Sequence, residues 1–187
     1  RLESAKWTIP DRKRSVPAAT QQLATRSRLP SRIVMPEPDI APIRNFGLVA
    51  TRVSSTDGVS LEIGKWTSIL EQLDVECHFL CGSSDRPADR THIVDLANLK
   101  DPVIEEINSL CLGRVDRTRE MTSLIQNTAA ALKNGIYDCI EAISPDLIIA
   151  ENALTLPMNI PLGIALDQAL TETQIPCIVH HHDFAWE

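Results

Sequence analysis

The chain has 187 residues, 43% of them hydrophobic and 23% charged, with a formal net charge of −7. That composition fits a globular domain of ordinary size with a core, and no apolar run approaches the roughly 18 residues that span a bilayer, so a transmembrane helix is disfavoured. The charge is uneven: residues 1–39 carry eight Lys/Arg against four Asp/Glu, a balance of +4, so the remainder holds −11 and does not suit nucleic-acid binding.

Five cysteines, Cys77, Cys81, Cys111, Cys139 and Cys177, are odd in number and lack a Cys-x-x-Cys pair. They read as buried free thiols of a reducing compartment, and the protein as cytoplasmic.

Residues 1–44 are expected to be a disordered or leader segment. Arg12-Lys13-Arg14, Arg26, Arg28 and Arg32 lie among Ser, Thr and Ala, and Pro10, Pro17, Pro30, Pro36 and Pro38 work against long regular elements. An Arg- and Ser-rich, acid-poor stretch also has the texture of an organelle transit peptide, or of a leader preceding a start near Met35.

From residue 45 the pattern becomes that of an α/β domain. Phe46–Thr51 is a compact apolar run, read as a first strand, followed by the turn Ser54–Ser60. Ile63, Trp66, Ile69, Leu70 and Leu73 recur at helical spacing, which predicts a helix over 60–73 with Ser60 as N-cap. Gly64 inside it costs about 1 kcal/mol against Ala, a sign that something approaches the helix closely. Val75–Cys81 is a second strand and Thr91–Asp95 a weak third. Helices follow over about 102–112 and 116–143, the second divided or kinked at Gly135. Pro145–Ala150 is a fourth strand; Asn159-Ile-Pro-Leu caps and starts another helix; and Pro176 introduces a short apolar run read as a buried fifth strand. Strands alternating with helices predict a Rossmann-like parallel sheet with helices on both faces.

In such a sheet ligands bind beyond the carboxyl ends of the strands. Three polar turns fall there: Ser54–Ser60, Glu151-Asn152, and His180-His181-His182-Asp183. The first contains Asp57-Gly58 and opens a helix whose free N–H groups favour an anion, although a simple tight turn accounts for it equally well. It is neither G-x-G-x-x-G nor a Walker loop. Glu151 and Asn152 supply a carboxylate and an amide, the acceptors and donors that a polyol needs, or else a cap. At least one of the three histidines reads as merely a satisfied core or hinge residue, and the others admit two uses. His180 and His182 project to the same side of an extended strand and, with Asp183, form a possible N/N/O metal set. Alternatively, neutral imidazoles hydrogen-bond sugar hydroxyls while a carboxylate fixes their tautomer.

Thr51–Glu62 resembles the first βα loop of GT-B glycosyltransferases of the retaining family 4, and Glu151–Leu162 and His180–Glu187 are similar to the later acceptor-side loops of one subgroup. The resemblance covers about residues 45–187 and implies an acceptor-side Rossmann-like domain, with a C-terminal donor domain absent from this sequence. It implies that His182 and Asp183 belong to the catalytic centre, with His182 contacting the transferred sugar. Asp57, Gly58, Ser60, Glu151, Asn152 and His181 would bind substrate, and no metal or cofactor is expected beyond a nucleotide-sugar co-substrate. The partners implied are a sugar or small hydroxyl acceptor, and a nucleotide-sugar held through the absent domain. Phe184 and Trp186 would face that domain and favour self-association if bare. Two other readings stay open: a non-catalytic Rossmann-like binding module, and a metal-dependent hydrolase using His180, His182 and Asp183.

Overall fold

A computed structural model describes residues 42–54, 57–155 and 157–183. Most of the expected leader segment, and Phe184 and Trp186, lie outside the described residues.

Five strands form one parallel sheet: β1 (Asn45–Val49), β2 (Glu76–Cys81), β3 (Thr91–Ile93), β4 (Leu147–Glu151) and β5 (Cys177–His180), in spatial order β3-β2-β1-β4-β5. Four α-helices accompany them: α1 (Gly58–Glu71), α2 (Pro102–Cys111), α3 (Arg119–Ile143) and α4 (Ile160–Thr173). The expected Rossmann-like architecture is therefore present. β1 is the central strand, with Leu48 opposite both Phe79 and Ile149. Strand order runs outward from β1 to β3, then returns across β1 to β4 and β5, so the direction reverses between β1 and β4.

The sheet is buried on both faces, which explains why its inner strands read as unbroken apolar runs. Leu48, Ala50, Cys77, Phe79 and Ile149 pack with Ile63, Trp66 and Leu70 of α1. Val49, Leu80, Ile148 and Ala150 pack with Leu132 and Ile136 of α3 and with Leu162, Ala165, Leu166 and Ala169 of α4. The period-two alternation of the strands thus assigns each neighbour to a different core.

Several boundaries differ from expectation, each for a physical reason. α1 starts at Gly58, two residues early, because Asp57 rather than Ser60 is its N-cap. α3 runs unbroken through Gly135. A side chain at that position would put its Cβ 3.0 Å from Val94 Cγ1, so the glycine serves close packing and not a kink. The atom close to Gly64 is Arg86 Nη2, 3.3 Å from where a Cβ would stand; that guanidinium also donates to Ser60 O. β5 is an edge strand among the described residues, with Ile178 and Val179 at 47% and 40% exposure, so the buried strand expected there is corrected. Of the five thiols, Cys77, Cys81 and Cys139 are buried, whereas Cys111 and Cys177 are half-buried. Among the described residues, no helix is long and apolar enough to cross a membrane.

Candidate functional site

The three polar turns meet at the carboxyl edge of the sheet, where the strand order reverses. Between them lies an open cavity of about 630 Å³. Arg52, Asp57 and Gly58 line it from the β1 side, Lys100 from the segment after β3, and Glu151, Asn152, His182 and Asp183 from the β4 and β5 side. Ser60 and His181 do not line it.

The β1 turn is self-contained. Asp57 Oδ1 accepts from Ser60 N at 2.8 Å, and its Oδ2 accepts from Ser60 Oγ at 3.0 Å and from Arg52 Nε and Nη2 at 3.0 and 2.8 Å. Ser60, fully buried, in turn accepts from Ser54 N at 2.9 Å. Burial alone would raise the Asp57 pKa, but the hydrogen bonds from Ser60 and the Arg52 guanidinium outweigh it and hold the carboxyl below its ordinary value. Asp57 and Ser60 therefore build the turn with their own side chains. Gly58 begins the helix without a positive φ, and a Cβ added there meets nothing within 4 Å. Its backbone opens onto the cavity at the positive end of α1.

Above the cavity, the buried side chain of Asn159 holds two segments together. Its Oδ1 caps α4 by accepting from Leu162 N at 3.0 Å, and its Nδ2 donates to Leu96 O at 2.9 Å. That link fixes the turn preceding α2, and with it the neighbourhood of Lys100.

The β4–β5 corner is built differently. Glu151 ends β4 with its side chain at 0% exposure. Two imidazoles converge on its Oε2: His182 Nε2 at 2.9 Å in hydrogen-bond geometry, and His180 Nδ1 at 2.9 Å but off the line that a hydrogen bond requires. The His180 and His182 rings lie 4.4 Å apart, and Trp66 of α1 meets His180 edge-on at 6.2 Å. Glu151 Oε1 is buried with no hydrogen-bond partner, and among the described residues no Lys or Arg pairs with this carboxylate. Asn152 stitches the corner together. It adopts φ 56°, which asparagine tolerates better than most residues. Its N–H donates to His180 O at 3.0 Å and its Oδ1 accepts from His182 N at 2.7 Å, while Asp183 Oδ2 stands 3.5 Å from its Nδ2.

The sequence reading set Asp57, Gly58, Ser60, Glu151, Asn152, His181, His182 and Asp183 at this edge of the sheet, and all of them but Ser60 and His181 line the cavity. It missed Arg52, for which its place just after β1 was the available signal, and Lys100, which lies between β3 and α2 away from any strand end. It also missed that the carboxylate partner of the histidines is Glu151 and not the adjacent Asp183. Parallel pairing sets Glu151 beside His180 across the β4–β5 register, a contact invisible to local spacing.

Fold and site together define a Rossmann-like α/β domain that presents polar turns at a strand-order reversal. The chain is similar to proteins named mannosylglucosylglycerate synthase: it is 27% identical over 146 residues to that of Petrotoga mobilis, and 26% identical over 145 residues to that of Thermotoga maritima. Each match covers 76% of this chain and 32% of the relative, so the chain spans about a third of the length of these curated relatives. No protein-family model matches the chain, and no solved structure gives a significant match.

Proposed function

We propose that residues 45–187 form the acceptor-side domain of a GT-B glycosyltransferase, part of an enzyme that moves a hexose from a nucleotide-sugar to a hydroxyl with retention. The observation that carries this reading is the similarity to two synthases over 146 and 145 residues, a span large enough to take in the sheet and its polar edge. The product named for those relatives is a saccharide of glycerate. The acceptor proposed here is accordingly a hexosyl glycerate, a polyol bearing one carboxylate.

The cavity chemistry supports that class. Asn152 and Asp183 offer amide and carboxylate groups to hydroxyls, and Arg52 and Lys100 provide cations for an anionic end. His182 keeps Nε2 against Glu151, which leaves Nδ1 for a sugar hydroxyl and lets the carboxylate set the tautomer. The helix N-terminus at Gly58 and Val59 suits the negative charge that collects on a departing phosphate. Retention would rest on electrostatic stabilisation of an oxocarbenium-like state by such fixed groups. No stretch of this sequence is fitted to read a nucleobase and ribose, so the donor would be held largely by a second domain.

The test is calorimetric titration of the 187-residue chain with UDP- and GDP-sugars, paired with a product assay. The expected result is donor affinity no better than about millimolar, near −4 kcal/mol, and no transfer. Micromolar donor binding, or transfer by this chain, would contradict the half-enzyme reading and require a one-domain mechanism.

A further inference from the structure

We propose that Glu151, His180 and His182 form a binding site for one divalent first-row transition metal ion at the β4–β5 corner. The sequence resemblance implied no metal here, and this inference departs from it on geometry. A carboxylate whose side chain is 0% exposed needs a bound cation, an imidazolium or a proton to offset its charge, and no Lys or Arg supplies one among the described residues. Two imidazole nitrogens stand 2.9 Å from one of its oxygens, yet only His182 is aligned for a hydrogen bond. His180 Nδ1 and Glu151 Oε1 are buried without hydrogen-bond partners. One ligand atom from each residue lies within 4.8 Å of the others, close enough to share an ion.

The fold creates this arrangement from one long-range pairing and one local bend. His180 ends β5 and parallel pairing sets Glu151 beside it, while the bend that follows, held by His182 N donating to Asn152 Oδ1, returns the second ring to the same carboxylate. Trp66 packs edge-on against His180 and restrains that ring. The histidine side chains keep 31% and 23% exposure, and His182 lines the cavity, so a fourth position would open toward solvent or a bound hydroxyl. Two imidazoles with one carboxylate select zinc, cobalt, manganese or iron over magnesium or calcium, which prefer all-oxygen shells. Bound there, the ion would fix both rings and could polarise a hydroxyl from the cavity. The inference does not depend on the transferase reading, because metal binding is measured without any transfer.

The experiment is titration of chelator-stripped chain with Co²⁺, followed by visible absorbance, and with Zn²⁺, followed by calorimetry. The expected result is one ion per chain with a dissociation constant of about micromolar or below. The cobalt spectrum should carry d–d bands without the near-ultraviolet thiolate charge-transfer band that binding at the cysteines would give. Glu151→Gln and His182→Gln should each weaken binding about a hundredfold, whereas His78→Asn, on β2, should leave it unchanged. Saturation that fails below millimolar metal in the wild-type chain overturns the proposal. So does binding that survives both site substitutions, or a spectrum dominated by thiolate. Since the wild-type titration stands alone, misfolding of a variant cannot rescue the idea.

Discussion

Two carboxylates sit at the same edge of the same sheet, and they live in opposite circumstances. Asp57 is only partly open to solvent, its side chain at 27% exposure, and every oxygen is answered: by the Ser60 amide, the Ser60 hydroxyl and the Arg52 guanidinium. Glu151 is sealed from solvent, faces two imidazoles, and leaves one oxygen with no hydrogen-bond partner. A carboxylate whose lone pairs are all engaged by its own turn stabilises that turn and has little left for a ligand. A buried one that remains under-satisfied is where structure has been arranged for something other than stability. Under the function proposed above, the first turn is scaffold and the second a working corner.

The sharpest way to break that division is to substitute each carboxylate and read ligand binding and stability together. Glu151→Gln preserves volume and removes charge. It should weaken binding of a hexosyl glycerate at least about tenfold, roughly 1.4 kcal/mol, with a melting shift of only a few degrees. Asp57→Ala should do the reverse. Loss of an N-cap costs about 1 kcal/mol, or about 4 °C for a domain of this size, while acceptor affinity holds within about twofold. Thermal melts and calorimetry on the same samples check both; ligand affinity that falls with Asp57→Ala alone would invert the assignment.

A pH series sharpens the same contrast. The folded pKa of Asp57 lies below its ordinary value of 3.8, so its contribution is fully present above that value and is lost as pH falls through the lower folded pKa. The melting difference between wild type and Asp57→Asn should therefore be constant near neutrality and shrink below about pH 4. A difference that grows on acidification would contradict the hydrogen-bond account of that turn.

Gly58 gives a smaller effect. Because its φ is not positive and a Cβ meets nothing within 4 Å, Gly58→Ala should leave stability within about 0.5 kcal/mol. Any loss of acceptor affinity in that variant then measures ligand approach to the α1 N-terminus. The thiols give the mildest test. Burial pushes Cys139 up to about 12 and Cys77 and Cys81 up to about 11, so none is a thiolate near neutrality. A disulfide reagent applied to the native chain at pH 8 should label no more than Cys111 and Cys177 rapidly.

Much of this was legible in the sequence because the sheet is buried on both faces. Phe46–Val49, Cys77–Cys81 and Ile148–Ala150 show as apolar runs, and helical spacing marks α1 through Ile63, Trp66 and Leu70. What local pattern could not carry was contact between distant segments. Gly135 looked like a break because the side chain that crowds it, Val94, lies in another element. Ser60 looked like the cap because both it and Asp57 are good caps, and the choice depends on Arg52 folding back. β5 looked buried because its sequence is apolar, although its position at the sheet edge leaves Ile178 and Val179 exposed. At the site, the gathering of residues followed from strand-end position alone. The pairing of Glu151 with His180 and His182 followed only from the β4–β5 register.

What occupies the cavity between the two turns decides whether this edge of the sheet holds an acceptor. Nuclear magnetic resonance titration of the isotopically labelled chain with glucosylglycerate reads that residue by residue. The expected result is saturable amide shifts at Asn152, His182, Asp183 and Gly58, with affinity of roughly millimolar or better, and no such shifts with glucose at the same concentration. Shifts confined to other surfaces, or none at saturating ligand, would contradict the acceptor-side assignment.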